Sequence, residues 1–143
     1  ETWLYATVRE YAAEKVASGN YAEEGAVERS QGEFDALLPQ GLQTPGHEIR
    51  SMIDDAGEAV GYVWFTIEDR PVGKVVFIYD IAVDPAHRRK GHAQAALAEV
   101  EAYAGEHDCI GVMLHVFGSN IGARELYRKA GYDETNVIML KRV

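Results

Sequence analysis

The chain has 143 residues, a formal net charge of −9, and 47% hydrophobic and 26% charged residues. These values are typical of one globular domain with its own core, so we expect a single domain over residues 1–143. The acidic balance argues against nucleic acid as the main partner, because phosphate binding requires a basic surface, and it mildly favours cationic partners such as amines. No apolar run approaches the roughly 20 residues that cross a bilayer, which argues against a membrane protein.

Cysteine and histidine usage restricts the chemistry further. Cys109 is the single cysteine, which excludes an internal disulfide and is compatible with a reducing, cytoplasmic setting. It directly precedes an apolar strand, which predicts a buried and unreactive thiol. The five histidines are scattered along the chain, so no metal site is predicted.

Two helices are predicted at the start of the chain. The second runs from Glu23-Glu24, acidic in its first turn, through Val27 and Phe34 to Leu38. The first has apolar residues at helical spacing and stops at Gly19-Asn20; these residues are Leu4, Val8, Tyr11, Ala12 and Val16.

Three strands follow the helices. The period changes to that of strands in His47 to Asp54 and in Ala59 to Ile67, with a turn between them at Asp55-Ala56-Gly57. The third strand, Val75 to Val83, is a nearly continuous apolar run, which predicts a central strand that is covered on both faces. Asp80 is the one charge inside it.

The remainder alternates helices and strands. A helix with Ala93, Ala96, Leu97 and Val100 on one face precedes a strand from Val112 to Phe117. A short helix then ends at Gly131, and Thr135 to Lys141 is predicted as the last strand. The order of elements predicts an α/β fold with a mixed sheet and with the chemistry in its second half.

The segment between the third strand and the next helix, from Asp84 to Ala93, is the most informative. Gly91 allows backbone to approach a ligand closely, and the amides at the start of a helix are unpaired donors that favour anions. Three cations, Arg88, Arg89 and Lys90, lie on this loop of an otherwise acidic chain. A pyrophosphate is the natural occupant, and a solvated basic turn is the alternative.

Two motifs resemble a known family. Arg88-x-x-Gly91-x-Ala93, after a strand and before a helix, resembles the [Q/R]-x-x-G-x-[G/A] signature of the GNAT acetyltransferases. The downstream run from Asn120 through Tyr127 to Tyr132 is similar to the family's N-x-x-A-x-x-L-Y-x-x-x-G-[FY] pattern. The similarity spans roughly Gly61 to Val143. It implies the GNAT fold, a central mixed sheet flanked by helices, with the usual first strand expected to be absent from this chain.

The resemblance implies acetyl-CoA as co-substrate, bound by about residues 74–143. In the family, the loop amides wrap the pyrophosphate, and the preceding strand pairs with the pantetheine arm. Asn120 is expected to hydrogen-bond this arm, although a helix N-cap role is equally compatible. Homodimers are common in the family, so the resemblance also suggests one. The implied cofactor-binding residues are Ile81, Val83, Arg88, Arg89, Lys90, Gly91, His92, Ala93, Asn120 and Ala123.

Tyr127 is the predicted catalytic residue. By resemblance, its phenol points at the thioester sulfur, where an O–H donor can protonate or stabilise the departing CoA thiolate. The alternative is a half-buried core tyrosine.

A group that deprotonates the amine is also needed, because a charged ammonium cannot attack. Family members that acetylate histone lysines have a Glu at the position of Phe77. Strand alternation turns Asp80 away from the face of Ile81 and Val83, which favours a structural role for it. Glu68 and a water chain are the other candidates, and the base stays unassigned.

The sequence therefore predicts an N-acetyltransferase that passes the acetyl group of acetyl-CoA directly to a primary amine in a ternary complex. A backbone N–H near Val83 would polarise the thioester carbonyl, by family analogy. A non-catalytic CoA-binding sensor with the same fold is the rival prediction. An acidic cluster in the second helix region favours cationic acceptors if it borders the acceptor groove, and otherwise it only solvates helices; its members are Glu23, Glu24, Glu28, Glu33 and Asp35.

Overall fold

The computed structural model describes the backbone of residues 2–143 and the side chains of residues 8–143. The side chain of Leu4, predicted to face the core, therefore lies outside the described residues. Short 3₁₀ turns at Gly41–Gln43 and Pro85–His87 join some of the main elements. The helices and strands, in chain order, are α1 Thr2–Ala17, α2 Ala26–Leu37, β1 His47–Ile53, β2 Ala59–Arg70, β3 Gly73–Val83, α3 His92–Glu106, β4 Gly111–Leu114 and α4 Ile121–Lys129.

The strands form one mixed sheet in the order β1-β2-β3-β4. β1, β2 and β3 are joined by hairpins and run antiparallel, whereas β4 runs parallel to β3 after the α3 crossover. The predicted turn between β1 and β2 is confirmed. Asp54 Oδ1 accepts from the backbone N–H groups of Ala56 and Glu58 at 2.9 Å, and Gly57 takes the left-handed φ of 82°.

Helices cover the sheet on both faces, as the apolar character of β3 predicted. On one face, α3 and α4 pack on alternate residues of β2 and β3, forming the cluster Val63, Phe65, Val76, Ile78, Leu97, Val100, Ala104 and Tyr127. On the other face, α1 and α2 pack Val8 and Phe34 against Trp64. The two helices are also joined by Ser30, whose buried hydroxyl donates to the Val8 carbonyl at 2.7 Å.

Several predicted boundaries were wrong: β2 ends at Arg70 rather than at Ile67, and β3 begins at Gly73 rather than at Val75. α2 begins at Ala26 rather than at Glu23-Glu24, because Gly25 takes a left-handed φ of 77° that no helical residue adopts. Its buried face contains Ala26, Ser30 and Phe34, whereas Val27 is exposed. β4 ends at Leu114 rather than at Phe117, three residues short of the predicted end.

The predicted last strand, Thr135 to Lys141, was also wrong. No regular structure is assigned there, and the side chains of Ile138, Met139 and Leu140 are exposed. An apolar run supplies strand propensity, but a strand forms only where another strand pairs with it, and no described strand pairs with this segment. Among residues 2–143, no helix has the length and apolar character needed to cross a bilayer.

We predict that Leu97→Ala lowers the free energy of unfolding by about 2–5 kcal/mol, because it leaves a cavity between α3 and the sheet. Leu42→Ala is the matched control, since Leu42 is half exposed, and its cost should stay within about 0.5 kcal/mol. Urea unfolding of both variants measures the difference. Similar losses in the two variants would contradict the packing of α3 on this core.

Candidate active site

The sheet opens between β3 and β4 at the carboxyl end of β3. The two strands pair only from Val75 opposite Gly111 to Ile78 opposite Leu114, whereas β3 continues to Val83 along β2. In the described part of the chain, no strand pairs with residues 79–83 on the β4 side. This leaves an open backbone edge inside the sheet.

Two predicted binding residues, Ile81 and Val83, present their backbone groups to this open edge. The N–H of Asp84 donates to Val60 of β2 at 2.8 Å, and backbone groups alternate in direction along a strand. The backbone of Val83 and Ile81 therefore points away from β2. The Val83 carbonyl already accepts from Arg88 Nε at 3.0 Å, whereas N–H groups on this edge can donate to an extended ligand.

The predicted anion-binding loop follows the open edge directly. Arg89 and Gly91 have left-handed φ values of 61° and 83°, and Gly91 is the N-cap of α3. No described side chain caps α3, so its first amides have neither an intrahelical acceptor nor a cap. Arg88, Arg89 and Lys90 are exposed, and His92 and Ala93 are partly buried. The loop thus combines cations with unpaired helix-start amides.

The start of α4 contributes a second predicted group. Asn120 is the N-cap, and its Oδ1 accepts from the backbone N–H of Ala123 at 3.2 Å. The N-cap alternative for Asn120 is therefore confirmed. Its Nδ2 amide is a separate donor, so capping leaves the side chain able to bind a ligand as well.

A cavity of about 350 Å³ lies between α1 and α2 on one side and β3, β4 and α4 on the other. Its lining includes three of the predicted residues, Ile81, Asn120 and Tyr127. The other predicted residues are not part of the lining: Val83, the loop of residues 88–93, and Ala123. The structure thus places the predicted catalytic tyrosine in a cavity and the predicted anion loop outside it, at the end of β3.

Tyr127 belongs to both the core and the cavity. It is 9% exposed and packs in the cluster beneath α3, which confirms that Tyr127 is a core tyrosine. Burial, followed by the negative charges of Asp80 and Glu14, raises the pKa of its phenol to about 12. The hydroxyl therefore holds its proton at neutral pH.

Carboxylates dominate the polar lining of the cavity. Glu10 and Glu14 come from α1, Glu33 from α2 and Asp80 from β3, whereas Lys15 is the only Lys or Arg in the described lining. Sequence reasoning missed Glu10 and Glu14, although their spacing of four residues places them on one face of α1. Of the acidic cluster predicted around α2, only Glu33 lines the cavity.

Asp80 lies in the cavity because the β2–β3 ladder is irregular. Trp64 pairs with Asp80 but the next residue, Phe65, pairs with Ile78, so Tyr79 is an extra residue on β3. Asp80 therefore shares the face of Trp64, which α1 and α2 cover, and residues 77–81 all line the cavity. The Tyr62 hydroxyl donates to Asp80 Oδ2. The pKa of the Asp80 carboxyl is raised, mainly because the group is buried.

The other carboxylate considered from the sequence, Glu68, has its own partners. It forms an ion pair with Arg70 at 2.7 Å and accepts from the Tyr79 hydroxyl at 2.9 Å. It is not part of the cavity lining. Cys109 also lies elsewhere: it is half-buried, packs against the α3 core, and has its Sγ 3.8 Å from the His107 carbonyl.

Among the residues that the structure describes, no cluster of three or more His, Cys, Asp or Glu side chains could hold a metal ion.

Known proteins resemble this chain over most of its length. The acetyltransferase (GNAT) family model matches residues 5–132. The chain is 37% identical to the uncharacterized N-acetyltransferase YycN of Bacillus subtilis over 99% of this chain and 91% of that protein. It is 33% identical to the uncharacterized N-acetyltransferase YdgE of the same organism, over 96% and 87% of the two chains.

Solved structures agree in fold. The crystal structure of YycN superimposes with a TM-score of 0.90 over 99% of this chain and 90% of that one. The aminoglycoside N-acetyltransferase AAC(6')-Iy, solved in complex with CoA, is 22% identical and has a TM-score of 0.62 over 79% of this chain and 90% of that one. GNAT enzymes use acetyl-CoA as acetyl donor. The match to the family model over residues 5–132 and to YycN over 99% of the chain shows that the chain belongs to the GNAT family and is an N-acetyltransferase.

Proposed function

We propose that this N-acetyltransferase binds acetyl-CoA along the open edge of β3 and transfers the acetyl group directly to a primary amine in a ternary complex. The pyrophosphate would lie on Arg88 to Ala93, where cations and free helix-start amides meet. The pantetheine arm would follow Ile81 and Val83 toward the Asn120 amide. The observation that carries this proposal is that the open edge leads to the cavity that contains Tyr127.

The proposed transfer needs no covalent acyl-enzyme. The amine attacks the thioester carbon while a backbone N–H at the open edge near Val83 polarises the carbonyl oxygen. When the C–S bond breaks, the Tyr127 hydroxyl gives its proton to the sulfur. With a pKa of about 12, the hydroxyl is protonated at neutral pH. Cys109, the one thiol that could carry an acetyl group, is not part of the cavity lining.

The proposed acceptor is a positively charged amine. Four carboxylates line the cavity against a single lysine, and a cavity with one sign of charge raises the local concentration of oppositely charged ligands. Aromatic side chains, including Tyr11, Phe34 and Trp64, form much of the remaining wall. They suit the apolar body of an amine and can stabilise its cation.

The first test of this proposal concerns the pyrophosphate. Acetyl-pantetheine lacks the pyrophosphate of acetyl-CoA. We expect calorimetry to show that acetyl-CoA binds at least about tenfold more tightly, which corresponds to about 1.4 kcal/mol of binding free energy. Equal affinities would remove the pyrophosphate site from the proposal.

Gly91 offers a matched pair of variants for the same site. An added Cβ at Gly91 meets no protein atom within 4 Å, so Gly91→Ala costs only the left-handed φ and the space for a ligand. Gly25 is the matched control: it has φ 77° and equally open surroundings, and it is the N-cap of α2 without a side-chain cap, as Gly91 is for α3. Both alanine variants should lose similar stability on heating, but only Gly91→Ala should bind acetyl-CoA more weakly. Unchanged binding in Gly91→Ala would contradict the loop assignment.

Tyr127→Phe tests the proton donor. Proton transfer of this kind contributes about 10²–10⁴-fold, so we expect kcat to fall by at least about 10²-fold while acetyl-CoA affinity changes little. Tyr132→Phe is the control, because Tyr132 contacts Tyr127 but donates to Glu101 outside the cavity. Steady-state kinetics and calorimetry measure the two quantities. A Phe variant with parental turnover would mean that the thiolate leaves unaided and that Tyr127 only packs.

The acceptor proposal predicts a dependence on charge. We expect kcat/KM for cationic amines such as spermidine to exceed that for neutral or acidic amines, and to fall with added salt, because exposed charges are screened over about 8 Å at physiological ionic strength. Glu33→Gln should reduce this preference, whereas Glu28→Gln on the same helix should not, since Glu28 lies outside the cavity. Equal kcat/KM for all acceptor charges would leave the acids as solvating groups.

A further inference from the structure

The proposed transfer requires a group that accepts a proton from the acceptor ammonium. An alkyl ammonium has a pKa of about 10, so only about one molecule in 10³ is neutral at pH 7. Tyr127 cannot take the proton, because its phenol is already protonated at this pH. A separate proton acceptor that faces the bound amine would increase the fraction that can react.

Asp80 is the most buried acidic residue of the cavity, although burial also raises the pKa of Glu14. Glu10, Glu14 and Glu33 are exposed residues whose long side chains reach the cavity from helices, and His115 is exposed as well. Asp80 is partly buried on β3, the strand that has the open edge. A short side chain on a strand holds its carboxylate in one place, which proton transfer requires.

Asp80 also has a fixed orientation. The Tyr62 hydroxyl of β2 donates to Oδ2, and the carboxylate also accepts from the backbone N–H of Ile81. These bonds hold the carboxylate toward the cavity into which the extra residue Tyr79 has turned it. Its charge acts on Tyr127, so the two groups share one electrostatic environment.

We propose that Asp80 is the catalytic base that accepts the first proton of the acceptor ammonium, and that Tyr62 is a positioning residue for it. This inference rests on the proposed transfer to an amine. The ammonium gives one proton to the Asp80 carboxylate, and the neutral nitrogen forms a bond to the thioester carbon. As the C–S bond breaks, sulfur takes the Tyr127 proton. The nitrogen's second proton restores the tyrosine through solvent, and Asp80 releases its proton to solvent.

The surroundings of Asp80 favour this role. Burial raises its pKa, the hydrogen bonds from Tyr62 and Ile81 lower it, and the charge of Glu10 raises it. The net pKa is above the ordinary value for Asp, which makes the carboxylate a stronger base. The other titratable groups of the cavity are Glu14 and Lys15 on α1, Glu33 on α2, His115 after β4, and Tyr127 on α4.

The direct test compares Asp80→Asn with Glu68→Gln. Asparagine keeps an oxygen that can accept from Tyr62, and Glu68 is a carboxylate outside the cavity. With propylamine as acceptor, we expect kcat/KM at neutral pH to fall about 10²–10⁴-fold in Asp80→Asn and to stay near parental in Glu68→Gln. Acetyl-CoA affinity should be unchanged in both. Parental kcat/KM in Asp80→Asn overturns the proposal.

The pH profile separates a base from a structural group. In the parent and in Glu68→Gln, kcat/KM should fall as the pH drops through the pKa of Asp80, because the base must be ionised. This acid limb should be absent from Asp80→Asn. In Tyr62→Phe it should move to higher pH, since the lost hydrogen bond stabilised the ionised carboxylate. An acid limb that is identical in all four proteins overturns the proposal.

Acceptor basicity provides the last readout. Trifluoropropylamine has a far more acidic ammonium than propylamine, so more of it is neutral and it needs a base less. The loss caused by Asp80→Asn should therefore be much smaller with trifluoropropylamine. An equal loss with both amines means that Asp80 acts through binding or structure, and it overturns the assigned role. If the parent itself releases no CoA with any amine, the proposed transfer fails, and this inference fails with it.

Discussion

β3 is paired on both edges for only four residues, from Val75 to Ile78, and the arrangement of the site depends on this limit. Up to Ile78, β3 is an ordinary interior strand with helices on both faces. Beyond it, β3 stays paired with β2, so its last residues extend past the end of β4. The backbone N–H and C=O groups on this edge have no partner strand, so an extended ligand can form hydrogen bonds with them.

The same opening determines what surrounds the reacting atoms. Because β4 ends at Leu114, the chain that follows it is free to turn, and α4 begins at the cavity with Asn120 as its cap. Tyr127 then lies under the opening, packed on one side by the α3 core. The irregularity at Tyr79 turns Asp80 into the same space from the strand itself. A proton donor and a carboxylate thus reach one cavity from different elements.

Burial affects these two groups in the same direction and for the same reason. A low-polarity environment disfavours the charged form of both a phenol and a carboxyl, so the pKa of each rises. The raised pKa keeps the Tyr127 phenol protonated, and it makes the Asp80 carboxylate a stronger base. The negative charge of Asp80 adds to the first effect. Helix α1, tied to α2 by the bond from Ser30 to Val8, brings Glu10 and Glu14 to the same cavity.

The sequence by itself determined the elements and the family. The hydrophobic pattern predicted β1, β2 and β3 with boundaries within three residues of the observed ones, because those strands alternate or bury their side chains regularly. The motifs at Gly91 and Asn120 identified the family, and the helix start after Gly91 and the cap at Asn120 lie where local backbone chemistry required them. These features depend on neighbours within a few positions, which a sequence records directly.

Only the tertiary structure decided which side chains meet. Alternation correctly predicted that Asp80 faces away from Ile81, but only the packing of α1 and α2 on that face made Asp80 part of a cavity wall. Glu10 and Glu14 carry no motif, and they reach the cavity only through the packing of α1 on the sheet. The apolar run from Val137 to Leu140 reads as a strand, yet it has no described partner to pair with. Register, packing and pairing join residues distant in sequence, so local pattern alone cannot specify them.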